Sequence, residues 1–272
     1  MSINRTVAPE NDGSPQERAA GAAGDNAPLI SVVVPVWRDD AGQVEPMWRN
    51  LRPDPPLAGQ VELVVAAAEA DETVLAGLER ALEAVVVRCP QAGRGAQLHA
   101  GAMRGRGRVL LFQHVDTPMR PEHVEALATA ILEDDKEGVR WVGGAFHRDL
   151  GGMFPLLRPV VGLVRWWHAR AGLLLGDQSV FVRRDSYHQL GGFRPLPLME
   201  DVDFSRRLRR LGRLRLLDPP VRHSLRRFDG CSWWQRQRLR ALNSWLLLRF
   251  AMGADPADLH ARYYRRRGRP QG

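Results

Sequence analysis

Leu29-Ile30-Ser31-Val32-Val33-Val34-Pro35-Val36 is a near-continuous β-branched run, the pattern of a strand buried on both faces in a parallel sheet. A second run, Val61-Glu62-Leu63-Val64-Val65-Ala66-Ala67, follows a segment including Met47 to Leu51 that suits a short helix, which is βαβ spacing. Working outward, Thr73 to Val87 reads as a helix with Leu75, Leu78, Leu82 and Val85 at helical intervals, and small residues from Gly93 to Met103 open another. Gly105-Arg106-Gly107 precedes a strand rather than following one, so it is not a dinucleotide-binding loop. That strand, Arg108 to Phe112, runs directly into Gln113-His114-Val115-Asp116-Thr117. An open α/β sheet is expected, with ligands at the carboxyl ends of its strands.

Further along, Pro121 to Leu132 reads as a helix, Val139 to Phe146 as a strand, Ser179 to Val182 as a short strand and Asp185 to Leu190 as a short helix. Arg213 to Leu217 suits a strand, Trp233 to Met252 a long basic helix and Pro256 to Tyr264 a last one. Residues 1–28 read as a disordered leader without a signal-peptide core, and 267–272 as a flexible tail. The main domain is expected over 29–228 and a helical C-terminal extension over 229–266.

The 272-residue chain carries a formal net charge of +8, and Lys136 is its single lysine against 38 arginines. Attraction to phosphate-bearing substrates or an acidic membrane surface fits this balance, and no nucleic-acid partner is expected. Cys89 and Cys231 lack metal-ligand spacing and form no disulfide framework, so the chain reads as cytoplasmic. No stretch reaches the roughly 18 uncharged apolar residues of a membrane span. Leu156 to Leu175 and Leu242 to Met252 are both interrupted by arginine, leaving a peripheral contact with the inner face of a membrane open.

Two clusters can carry chemistry. Met199 to Gly212 reads as a helix with Glu200, Asp201 and Asp203 at its start, Arg206, Arg207, Arg209 and Arg210 in its second half, and Gly212 as a left-handed stop. Phe204, Leu208 and Leu211 form its core stripe, and the arginines its solvated side. His114-x-Asp116 places an imidazole and a carboxylate at a strand end, a donor mixture suited to Mn²⁺ or Mg²⁺.

Six motifs stand in order: Ser31 to Val36, Gly93-Arg94-Gly95-Ala96-Gln97, Leu111 to Thr117, Val142-Gly143-Gly144-Ala145-Phe146, Gly176-Asp177-Gln178 to Arg184, and Leu198-Met199-Glu200-Asp201-Val202 with Ser205 to Leu208. In these the chain resembles the family 2 glycosyltransferases, and more narrowly a bacterial subgroup associated in name with arsenosugar biosynthesis. The resemblance implies a GT-A, Rossmann-like fold: a mixed, mostly parallel sheet flanked by helices. It implies a nucleotide-diphosphate sugar donor, a hydroxyl acceptor, and a divalent cation bridging the diphosphate through Asp116 with His114 beside it. Asp201 corresponds to the general base of an inverting transfer, with Glu200, Asp177 and Gln178 on the acceptor side. Pro35, Asp39 and Arg94 fall on the donor side, Arg183 is a further candidate for the diphosphate, and His223 is a third candidate metal ligand.

The chain departs from the family after the second strand. Relatives commonly show Val-Val-Asp-Gly-Gly-Ser-x-Asp, whereas Val64-Val65-Ala66-Ala67-Ala68-Glu69-Ala70-Asp71 puts Ala66 where an aspartate would read the base. Backbone groups or Glu69 are the substitutes within reach. Trp166 and Trp167, and the Trp233-Trp234 pair near Arg236, Arg238 and Arg240, suit an acceptor wall or a membrane-facing surface. Two rivals are a nucleotidyltransferase of similar layout and a non-catalytic binding protein that kept the fold.

Overall fold

In the computed structural model of the protein, residues 27–138, 140–149, 174, 176–222 and 233–265 are described. The sequence runs β1 (Ile30–Trp37), α1 (Val44–Leu51), β2 (Val61–Ala68), α2 (Glu72–Leu82), β3 (Val85–Arg88), α3 (Arg94–Arg104), β4 (Val109–Phe112), α4 (Pro121–Glu137) and β5 (Gly143–Asp149). It continues with β6 (Phe181–Arg183), α5 (Arg184–Gln189), α6 (Glu200–Leu211), β7 (Leu214–Arg222), α7 (Trp233–Ala251) and α8 (Pro256–Arg265).

The seven strands form one sheet in the order β3-β2-β1-β4-β6-β5-β7. Every described pairing is parallel except those of β6, which runs against both β4 and β5. Val32, Val34 and Val36 of β1 enter a core that includes residues of α1, α2 and α4, while Val33 enters the opposite core with residues of α3, α5 and α6. The central strands therefore need apolar residues on both faces, which is why they read as unbroken runs. α7 and α8 form a third cluster around Leu246, Leu259 and Tyr263, packed on Leu198 and Met199.

Several boundaries differ from the sequence reading. The helix expected to reach Val87 stops at Leu82, Glu83 turns left-handed (φ 54°), and Val85 to Arg88 becomes an edge strand. Stiff β-branched side chains favour the pleated sheet there over continued helix. β7 continues past the expected end at Leu217, through Asp218-Pro219-Pro220, to Arg222. It is the other edge of the sheet, where a proline's missing N–H can be tolerated.

Gly212 is extended (φ 175°) rather than left-handed, and a Cβ there would lie 2.6 Å from Val142 Cγ1. Phe204 and Leu208 are buried as expected and Leu211 is half-buried. Arg207 is not on a solvated side: its Nε meets Asp203 Oδ2 at 2.8 Å, and its Nη atoms donate to the carbonyls of Leu190 (3.0 Å) and Gly192 (2.8 Å). It ties α6 to the loop that delivers it. The apolar segment Leu156 to Leu175 lies outside the described residues apart from Leu174.

Candidate active site

β1, β2, β3 and β4 end at the same sheet edge, and antiparallel β6 begins there, bringing Gly176 to Ser179 beside the turn after β4. Gln113 builds that turn. Its side-chain amide donates to the carbonyls of His114 (2.9 Å) and Thr117 (2.6 Å), and its Oε1 accepts from Ser179 Oγ at 2.7 Å. His114 and Asp116 are thereby fixed relative to the start of β6. Among the described residues, four of the five non-glycine residues with positive φ lie in this region: Arg38 (50°), Glu69 (52°), Ser179 (49°) and Met199 (65°). Such backbone persists where surrounding structure imposes it, and it clusters at functional sites.

Arg94, the first residue of α3, is the hub. Its Nη1 lies 3.2 Å from Glu200 Oε1 and its Nη2 lies 2.6 Å from His114 Nε2. Glu200 is buried at the start of α6. Asp201 Oδ2 accepts from the Gly176 N–H at 2.8 Å, and its Oδ1 accepts from the Val202 N–H at 2.8 Å. A Cβ on Gly176 would sit 1.8 Å from Arg94 Nη2 and 3.1 Å from Asp201 Oδ2, so only glycine leaves room for the guanidinium. Arg94, His114, Gly176 and Asp201 line one small cavity with Leu98, Phe112, Val180, Phe193 and Phe204. Burial alone would lower the Arg94 pKa, but Glu200, Asp201, Asp177 and Asp116 together hold it above the usual arginine value.

The donor set for a cation is uneven. Because a guanidinium has no acceptor, His114 Nε2 must be the accepting nitrogen in its contact with Arg94, which commits that nitrogen to Arg94. Asp116 is half-buried and has no hydrogen-bonded or ion-paired partner among the described residues. No group of three His, Cys, Asp or Glu suited to an ion occurs among those residues, and His223 lies outside them. Of these residues Asp116 is the one that would hold a divalent cation, which would supply charge neutralisation there.

The other candidates divide. Asp177 is ion-paired with Arg148 of β5, and Gln178 is buried with its amide donating to the Phe146 carbonyl at 3.2 Å. Pro35 lies opposite Ala66 in the β1–β2 register. Asp39 is exposed just beyond β1, near the Arg38–Glu69 ion pair (3.0 Å), and Arg38 stacks on the Trp37 ring at 4.3 Å. Ala66 is fully buried under α3, its carbonyl accepting from Gln97 Nε2 at 2.9 Å, and the same amide reaches the Val36 carbonyl at 2.6 Å.

Trp167 lies outside the described residues. Arg183 is at the opposite end of the sheet, paired with buried Asp134 and stacked on Trp141, which removes it from the diphosphate candidates. Gln97, Gln113 and Arg148 are positioning residues that the sequence reading passed over. Two of them sat inside quoted motifs, but only the fold shows which carbonyls they reach.

The sheet order, the single reversed strand and the charged carboxyl edge define a GT-A fold. Three solved structures resemble it. The mannosyltransferase PcManGT from Pyrobaculum calidifontis, in complex with GDP-Man and Mn²⁺, is 18% identical over 88% of this chain and 70% of that one, with a TM-score of 0.59. Glucosyl-3-phosphoglycerate synthase from Mycobacterium tuberculosis, with Mn²⁺, UDP and glucosyl-3-phosphoglycerate, is 21% identical over 88% and 86%, with a TM-score of 0.51. S. aureus TarS 1-349 with UDP is 16% identical over 71% of this chain and 59% of that one, with a TM-score of 0.52. No protein-family model matches the chain, and no curated protein does.

Proposed function

We propose that the chain is a glycosyltransferase that moves a sugar from a nucleotide-diphosphate donor to an acceptor hydroxyl with inversion. One observation carries this reading: a single guanidinium, Arg94, touches both His114 beside Asp116 and Glu200 beside Asp201. It joins the motif expected to face the donor diphosphate to the motif expected to face the acceptor.

In this reading Asp201 is the general base. It takes the proton from the acceptor hydroxyl as that oxygen attacks the anomeric carbon, and the bond to the diphosphate breaks on the opposite face. The Gly176 N–H orients its carboxylate while leaving lone pairs on both oxygens. Arg94 places a guanidinium among Glu200, Asp201, Asp177 and Asp116. A divalent cation, Mn²⁺ or Mg²⁺ held by Asp116, would neutralise charge on the departing diphosphate. The narrower likeness to the arsenosugar-associated subgroup rests on the six ordered motifs. In support, structures of similar fold were solved with GDP-Man, UDP or UDP-GlcNAc.

The test is release of nucleoside diphosphate from a panel of nucleotide sugars by the purified chain, with Mn²⁺, with Mg²⁺ and with EDTA. Cation-dependent release in the presence of an acceptor is expected. No release from any donor, together with no nucleotide binding by calorimetry, would sink the proposal. A non-catalytic binding role is the second reading, favoured by Ala66, whose side chain offers no acceptor and is sealed under α3. Nucleotide binding without turnover would establish it.

A further inference from the structure

α7 is apolar on two separate faces. Leu242, Leu246 and Phe250 point inward, toward α8 and Met199, and Phe250 lies under the Arg206 guanidinium of α6 at 5.4 Å. A second line, Trp234, Arg238, Ala241, Trp245, Leu248 and Met252, recurs at intervals of four and three residues, and all six side chains are exposed. Trp234 is 72% exposed, Leu248 58% and Met252 62%. α7 and the residue after it hold four of the eight large exposed apolar side chains among the described residues, so this concentration is not ordinary scatter.

Within α7 itself the charge is of one sign. α7 contains no Asp or Glu in its 19 residues. The guanidinium groups of Arg249 and of Arg262 on α8 each lie 5.9 Å from the centroid of the Trp245 ring. Asp255 and Asp258 stand at the start of α8. A second copy of the chain seated here by two-fold symmetry would set this arginine-bearing face against itself, which costs like-charge repulsion. Tryptophans and aliphatics interleaved with arginines suit a different occupant, an anionic lipid surface, where indole rings take the headgroup level and arginines the phosphates.

We propose that the outer face of α7, with Arg262 of α8, docks the protein on an anionic membrane surface. No helix among the described residues is long and apolar enough to cross a membrane, so the contact is peripheral. The inner face of the same helix packs on Met199, the residue before Glu200, so the docked surface lies about one helix diameter, roughly 10 Å, from the start of α6.

The experiment is flotation of the full chain with phosphatidylcholine vesicles, alone or containing phosphatidylglycerol, without nucleotide. Its failure therefore leaves the transferase proposal standing, and the reverse also holds. We expect flotation with the anionic vesicles only, weakened at high salt. The double variant Trp245→Ala, Leu248→Ala should bind about tenfold more weakly or worse. Leu248 is 58% exposed but Trp245 only 38%, so Trp234→Ala, at a side chain 72% exposed, is the companion variant that should weaken flotation with the melting temperature of wild type. Arg249→Gln with Arg262→Gln, a second route to the same question, should lose the preference for phosphatidylglycerol. The proposal is overturned by no flotation with either vesicle, by equal flotation of the apolar variant, or by a wild-type dimer that this variant dissolves.

Discussion

Two buried or half-buried arginines at opposite ends of the sheet show what separates a structural charge from a functional one. Arg183, at the amino end of β4's neighbourhood, is 5% exposed at its side chain and has one buried carboxylate, Asp134, whose side chain is 2% exposed. Its Nε donates to the Trp141 carbonyl at 3.0 Å and its guanidinium lies over the Trp141 ring at 4.5 Å. Charge and hydrogen bonds there largely balance within the fold. Arg94, at the carboxyl end, has a side chain 34% exposed and feels four carboxylates plus an imidazole. Arg94 and Arg148, the partner of Asp177, stand against four carboxylates, which leaves an excess of acidic side chains that a substrate or a metal ion can use. The same residue type is a rivet at one end and a switchboard at the other because its surroundings differ in net charge and access.

Substitutions at and around these two arginines test that contrast, beginning with the largest effect. Asp201→Asn should lower transferase turnover about 10²- to 10⁴-fold, the usual contribution of a general base, while the melting temperature stays near wild type. Full activity in this variant would remove Asp201 as the base. Arg183→Met should leave Asp134 buried and unpaired and cost ~3–5 kcal/mol in a denaturant titration. Adding Asp134→Leu should recover most of that loss, since an apolar pair can replace a buried ion pair. If the single variant is as stable as wild type, Arg183 does not hold that end of the sheet together.

Arg94→Lys should lower turnover by about tenfold or more with less effect on stability than Arg183→Met, because an ammonium is not a planar fork that spans His114 and Glu200 at once. Equal turnover in Arg94→Lys would reduce Arg94 to a simple counter-charge. The smallest effect is a pH dependence. Burial lowers the His123 pKa in the folded state, so the unfolded chain binds the proton more readily. Stability present above the unfolded histidine value should therefore fall as pH drops through it toward the folded value. His123→Phe, beside Phe146, should flatten this acid slope in thermal melts. An unchanged slope would assign the acid sensitivity elsewhere, with His188, also lowered by burial, the first alternative.

The comparison also sorts what could be read in advance. β1, β2, α3, β4 and α6 were legible because hydrophobic period and charged helix ends are local properties. β3 was missed because Val85 continues a helical spacing, and only pairing with Val64 to Ala67 makes the strand worthwhile. Asp116, Glu200 and Asp201 stood out as carboxylates at element ends. Arg183 stood beside Arg94 as a further candidate for the diphosphate, since nothing local says which end of a reversed strand a side chain will reach. Gln97 and Gln113 stood inside motifs without any mark of their roles, because an amide that satisfies distant carbonyls looks like any other polar residue in a chain.

By itself the sequence determined an α/β sheet with apolar central strands and placed its acids and its His-x-Asp pair at strand and helix ends, because these depend on neighbours three or four residues away. Only the tertiary structure decided that β6 runs backward, carrying Gly176 to the site and Arg183 away from it. It also decided that Arg94 faces His114 and Glu200 together. Those outcomes depend on strand order and on the summed charge of residues far apart in the chain, quantities that no local window contains.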